Sequence, residues 1–318
     1  MLDTCTPKPN EIPISPEIEE KEMSDVASDI GKETVEDIKV CLRLRPLNKR
    51  ERDPKVWGAS GEYAWKQYPQ SNSMIQVQGN GSAVGREDRK SGRTVFTFDK
   101  VFEDNDTIEY VYSFAGKELV QSCVEGRNGS IFAYGQTSSG KTHTMQGDGS
   151  IRDGMIKEKP GIIHLVAKDL FQEAELVKDR DFVFNVSVIE VYNEEVRDLL
   201  SKAKDNRLGI REDTALGVFV NATRVEASSV KKLIACLSAG EKNRAVARTT
   251  LNKRSSRSHI IFSINIESFP VDDISGGAGY GRISTLNLID LAGSESVRHR
   301  SSHSTEMRRK EGGSINKR

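Results

Sequence analysis

The sequence has little of what marks several large protein classes. It contains no run of about 18 apolar residues, so no segment reads as a membrane-spanning helix, and no membrane partner is expected. Its four cysteines, Cys5, Cys41, Cys123 and Cys236, lie far apart and form no CxxC or Cys/His spacing. That pattern gives no zinc site and no disulfide framework, and reduced thiols in an intracellular protein are expected. Aromatic residues make up 6% of the chain without any zinc-finger or RNP-like pattern, which leaves nucleic acid unsupported as a partner. No internal repeat and no sustained heptad pattern occurs, so neither a solenoid nor a dimerising coiled coil is encoded here. The opening "MLDTCTPKPNEIPISPEIEE" lacks a basic start and an apolar stretch, so a secretory leader is not expected.

What remains is the composition of a soluble domain. With 318 residues, 36% of them apolar and 30% charged, the chain suits one large domain or two ordinary ones with a substantial core. The net charge of zero hides an asymmetry: residues 1–37 hold eleven Asp/Glu against three Lys, and the remainder is net +8. Four prolines and no aromatic residue in that acidic stretch leave it too little apolar surface to fold alone. Residues 1–36 are therefore expected to be an acidic disordered arm, and residues 37–318 the folded domain. The basic remainder suggests an acidic partner without identifying it.

Hydrophobic periodicity alternates between strands and helices. Ile38–Pro46 and Thr94–Phe102 read as strands, with a Gly/Ser-rich region of loops and a small hairpin between them. Tyr110–Val124 has helical spacing, and Ser130–Tyr134 is a short apolar strand. Gly161–Val177 is helical, Asp181–Tyr192 a long strand, and Val230, Leu233, Ile234 and Leu237 form one face of a further helix. "HIIFSINIESF" and "ISTLNLIDL" are the last strands. The alternation predicts an α/β fold with a central sheet flanked by helices.

The stretch after Ser130–Tyr134 carries chemistry. Gly135, Gln136, Thr137, Ser138, Ser139, Gly140, Lys141 and Thr142 fit the pattern G-x-x-x-x-G-K-[ST] between a strand and a helix. Glycines let such a loop curl so that backbone N–H groups point at phosphate oxygens. Lys141 is placed to reach the β- and γ-phosphates, and the Thr142 hydroxyl to ligate magnesium. A phosphate loop also needs a second carboxylate and a sensor of the γ-phosphate. "LNLIDLAGSE" offers Asp290 for the magnesium shell, through water, and the backbone N–H of Gly293 for the phosphate. A third polar segment, "NKRSSRSH" (Asn252–His259), precedes a strand.

Together "GQTSSGKTHTM", "NKRSSRSH" and "DLAGSE" resemble the kinesin motor domain, as do "RLRP", "VEGRNGSIFAYG" and "VIEVYNEEVRDLL". The resemblance spans roughly residues 37 to 318, and its style is that of the CENP-E-like, plant-type subgroup. It implies a P-loop NTPase with a mixed central sheet between helices, and ATP and magnesium as cofactors. It further implies microtubules as the partner and a place on the cytoplasmic cytoskeleton. Arg43, Arg45, Pro46 and His143 would surround the adenine. Ser256 would complete the magnesium shell, Asn252 and Ser255 would line the γ-phosphate pocket, and Arg257 would pair with Glu295 to order the attacking water.

A guanine-specific P-loop enzyme would need N-K-x-D, and the Asn-Lys pairs at Asn48, Asn252 and Asn316 lack the aspartate. The other alternative is a nucleotide- or microtubule-binding module without productive motility. By the resemblance, the chain would stop at the entry to the main microtubule-contacting helix. The last helices and one central strand of the family fold would then be missing, and a poor motor would result.

Overall fold

Three long strands set the architecture, because each carries apolar side chains at every second position. The computed structural model describes residues 38–48, 51, 53, 65–76, 95–148, 159–203, 205–214, 217–246, 257–271 and 280–295. The first of these strands, β7 (Arg180–Tyr192), buries Phe184, Val186, Val188 and Glu190. Strand β13 (His259–Pro270) buries Ile260, Phe262, Ile264 and Ile266, and β14 (Arg282–Asp290) buries Leu286, Leu288 and Asp290. A period of two puts one face of each strand in the core.

These strands belong to a seven-stranded mixed sheet. Its order is β6 (Gly129–Ala133), β14, β13, β7, β8 (Glu195–Asp198) and β9 (Arg207–Leu208), with β12 (Val225–Glu226) also paired to β7. The β6–β14 pair is parallel and the others are antiparallel. Among the described residues, three smaller sheets accompany it. Strand β1 (Cys41–Arg43) runs parallel to β5 (Lys100–Phe102), and β2 (Trp65–Tyr68), β3 (Ser73–Gln76) and β4 (Val95–Thr97) form an antiparallel meander. A hairpin joins β10 (Ile210–Asp213) to β11 (Gly217–Val220).

Among the described residues, five helices bury residues in one core with these strands. They are α1 (Ile108–Ala115), α2 (Lys117–Val124), α3 (Lys141–Gln146), α4 (Ile162–Leu176) and α5 (Val230–Val246). Helix α1 starts where the Thr107 side chain accepts the Tyr110 N–H at 3.2 Å, an ordinary N-cap. Helix α5 presents Leu233, Ile234 and Leu237 to the core, and its Gly240 lets the backbone close on Val188, where a Cβ would come to 2.8 Å of the side chain.

Some elements differ from the periodicity. The expected strand Ile38–Pro46 pairs only over Cys41–Arg43. Thr94–Phe102 splits into β4 and β5, which join different sheets. The expected helix Tyr110–Val124 breaks at Gly116, which has non-helical backbone and leaves no room for a side chain beside the Tyr112 ring at 2.7 Å. The acidic arm lies outside the described residues.

Candidate functional site

Strand register brings the glycine-rich loop and the acidic strand end together. Because β6 and β14 are parallel, Asp290 pairs with Ala133, two residues before the loop begins at Gly135. The loop backbone then follows what its residues allow. Ser138 has φ 67° and Gly140 has φ 102°, left-handed conformations that let the chain turn back before α3. Inside this turn, Lys141 Nζ donates to the carbonyls of Gly135 and Gln136, both at 2.9 Å. Burial lowers the Lys141 ammonium from its ordinary value, against the upward pull of the Asp290 and Glu295 carboxylates.

Thr142 is the next residue, and its hydroxyl donates to Asp290 Oδ2 at 2.5 Å. The second carboxylate oxygen, Oδ1, is buried and has no hydrogen-bond partner among the described residues. Burial raises the Asp290 carboxyl above its ordinary value, opposed by the Thr142 hydrogen bond and by the charges of Arg244 and Lys141. An aliphatic hydroxyl beside a buried carboxylate with one unused oxygen is a hard donor set. It fits magnesium.

The segment after β14 closes over the same loop. Ser294 N donates to the Gly135 carbonyl at 3.0 Å, and Glu295 Oε2 accepts the Thr137 N–H at 2.8 Å. The Thr137 hydroxyl also donates to Glu295 Oε1. Gly293 lies between these groups, and a Cβ there would stand 2.3 Å from Glu295 Oε2 and 2.5 Å from Thr137 Oγ1. The third segment joins through His259, whose Nδ1 accepts the Ala292 N–H at 3.1 Å. Arg257, half-buried, stands just before β13, whereas Asn252, Ser255 and Ser256 lie outside the described residues.

The expected adenine contacts flank the other side of the loop. Arg43 Nη1 donates to Thr144 Oγ1 at 2.6 Å, and Arg45 Nε donates to the Ser138 carbonyl at 2.8 Å. Glu51 holds the Arg45 guanidinium with both carboxylate oxygens, at 2.5 and 2.6 Å, and the Pro46 carbonyl accepts a further Arg45 bond at 3.2 Å. That pairing brings the Glu51 carboxyl down to about 2. His143 Nε2 lies 3.2 Å from Asp148 Oδ1, and both side chains are half-exposed.

One group of residues did not stand out in the sequence. Arg244 is buried beside Glu190 and Glu241, at 3.6 and 3.5 Å, and Gln146 reaches Glu241 at 2.8 Å. Its signal was the phase of Glu190, an acid on the face of β7 that otherwise carries Phe184, Val186 and Val188.

Comparison with known proteins bears on this arrangement. The family profile described as Kinesin motor domain matches residues 43–318. The chain is 40% identical over 283 residues to rice (Oryza sativa subsp. japonica) Kinesin-like protein KIN-7D, chloroplastic, covering 89% of this chain and 25% of that protein. It is 37% identical over 282 residues to human (Homo sapiens) Centromere-associated protein E, covering 88% of this chain and 9% of that protein. The chain thus spans a quarter or less of the length of these relatives. A solved structure described as "Structure of a fast kinesin: Implications for ATPase mechanism and interactions with microtubules" superposes with a TM-score of 0.70 at 32% identity, covering 86% of this chain and 70% of that one. With this match over most of its length, and with the loop, acidic strand end and third segment in one place, the chain belongs to the kinesin motor-domain family.

Proposed function

We propose that this chain binds ATP with magnesium and hydrolyses it as the motor of a microtubule-based machine on the cytoskeleton. The observation that carries the reading is the Thr142–Asp290 hydrogen bond beside the folded-in Lys141 ammonium. Phosphoryl transfer asks the protein mainly to position groups and to offset charge on the γ-phosphoryl oxygens. Lys141 exchanges the Gly135 and Gln136 carbonyls for phosphate oxygens when nucleotide enters. Arg43, Arg45, Pro46 and His143 hold the base. Thr142 and Ser256, with Asp290 through water, would hold magnesium, whose charge would offset that of the phosphates.

Asn252 and Ser255 line the γ-phosphate pocket, and Gly293 offers its backbone N–H there. Arg257 and Glu295 order the attacking water. Its oxygen bonds to the γ-phosphorus as the bond to the β–γ bridging oxygen breaks, the electron pair of that bond stays on ADP, and both water protons leave with inorganic phosphate. Loss of the γ-phosphate contacts then frees the loops that carry these groups, a change the machine couples to its hold on the acidic microtubule surface. The net +8 of residues 38–318 suits that surface.

Single-turnover hydrolysis measured apart from nucleotide binding tests the assignment. Glu295→Ala and Arg257→Ala should each bind ATP and hydrolyse it about 10²-fold more slowly, the scale of losing one positioned electrostatic group. Hydrolysis at the unsubstituted rate in either would overturn it.

A further inference from the structure

From the end of the phosphate-loop helix runs a chain of polar side chains, most of them buried, with no assigned part in holding nucleotide. It begins at Gln146, the last residue of α3, whose amide Nε2 donates to Glu241 Oε1 at 2.8 Å across 95 positions of sequence. Glu241 Oε1 also lies 3.5 Å from Arg244 Nη1, one turn further along α5. Arg244 is only 3% exposed. Its Nη2 donates to Ser258 Oγ at 3.0 Å and lies 3.4 Å from the Ser258 carbonyl, while its Nε stands 3.6 Å from the fully buried Glu190. Ser258 is followed directly by His259, which accepts from Ala292. Four segments of the site are therefore linked through one guanidinium: the end of α3, the end of α5, the start of β13 and the segment after β14.

A buried guanidinium keeps its place only while its partners do. Taking an ion out of water costs several kcal/mol, and the cost is offset only by good geometry with hydrogen-bonding partners. Glu241 is the partner nearest solvent, with its side chain 31% exposed, and Gln146 is the residue that orients it. Without Gln146 the Glu241 carboxylate is free to turn outward. Arg244 would then lose the contact that holds it toward α3, and Ser258 would no longer be fixed relative to the phosphate loop. Neither Gln146 nor Glu241 has been placed among the groups that hold nucleotide, so the effect should reach hydrolysis rather than binding.

We propose that Gln146 and Glu241 are positioning residues: their hydrogen bond ties the phosphate-loop helix to α5 and, through Arg244, sets Ser258 and the start of β13 in register for hydrolysis. The inference rests on the ATPase reading above for its consequence, and on the described contacts alone for its geometry.

The test compares Gln146→Ala, Glu241→Ala, the double variant and Glu241→Gln, which keeps an oxygen acceptor for Gln146. Each alanine variant should slow ATP turnover by about tenfold while nucleotide affinity stays within about twofold. The double variant should be no slower than the worse single, because both lose one shared contact, and Glu241→Gln should recover most of the rate. In nucleotide-free protein, amide hydrogen exchange at Ser258–Ile260 should speed up in the alanine variants and return in Glu241→Gln. Unchanged turnover and exchange would overturn the proposal. So would additive losses in the double variant, or a parallel fall of affinity, turnover and melting temperature that Glu241→Gln does not rescue. If the unsubstituted chain hydrolyses no ATP, the ATPase reading falls, while the exchange comparison still decides whether the contact positions β13.

Discussion

Thr142 and Asp290, 148 positions apart in the chain, share a hydrogen bond of 2.5 Å between a helix-borne hydroxyl and the last residue of a central strand. The parallel pairing of β6 with β14 makes this contact: both strands end at the same edge, so the loop leaving one meets the carboxylate closing the other. In an open α/β sheet, ligands settle outside the carboxyl ends of parallel strands for the same reason.

The buried Asp290 carboxyl is raised above its ordinary value, chiefly by burial. The folded chain therefore holds that proton more tightly than the unfolded chain, and the site's contribution to stability falls as pH rises from the ordinary carboxylate value through the folded one. Asp290→Asn should abolish that fall and leave the melting temperature at neutral pH equal or higher. Hydrolysis with magnesium should drop by about 10²-fold. Thermal melts across pH, paired with single-turnover assays, check both halves.

Gly293 is confined by the Thr137–Glu295 contact. A methyl group there would push against Glu295 Oε2 and Thr137 Oγ1 and separate the two. Gly293→Ala should keep its folding transition yet hydrolyse ATP at least about tenfold more slowly. Wild-type hydrolysis in that variant would show that the Thr137–Glu295 contact is dispensable.

Gly147 is confined by the fold. Its φ is 77°, and an added Cβ would stand 2.2 Å from the Lys159 carbonyl, a backbone atom that cannot swing away. Gly147→Ala should lower stability by about 1–3 kcal/mol or more, whereas Gly209→Ala, with nothing within 4 Å, should change it by no more than about 0.5 kcal/mol. Denaturant unfolding of the two variants side by side measures the difference.

Cys123 is fully buried, and its thiol is pushed up to about 12, mainly by desolvation. At pH 8 it should stay protonated and unreactive toward a disulfide reagent in the folded chain, and react at an ordinary rate once denaturant opens the core. Labelling followed by peptide mapping gives the answer.

The parts legible in the sequence were those governed by local rules. β7, β13 and β14 announce themselves by long period-two alternation, and Gly140 and Lys141 by the loop pattern. Less was visible where pairing decides. Glu195–Asp198 and Arg207–Leu208 are too short and polar to carry a periodic signal, and they are strands because β7 offers its edge to β8, and β8 in turn offers its own edge to β9. The Gly116 break was hidden because both halves of the helix keep apolar residues in helical phase. In the site, Lys141, Thr142 and Asp290 follow from the motifs. The Gln146–Glu241–Arg244 chain does not, since it depends on a side-chain contact between α3 and α5 across 95 positions that no spacing rule encodes.

The central claim is magnesium-dependent ATP binding through Lys141 and Thr142, and an equilibrium titration with a fluorescent ATP analogue tests it most directly. Affinity for the unsubstituted chain should fall when magnesium is chelated, and Lys141→Ala should bind at least about tenfold more weakly, since hydrogen bonds to charged groups contribute about 1.5–3 kcal/mol each. ATP should displace the analogue more readily than GTP. Equal affinity in Lys141→Ala, or a preference for GTP, would contradict the account.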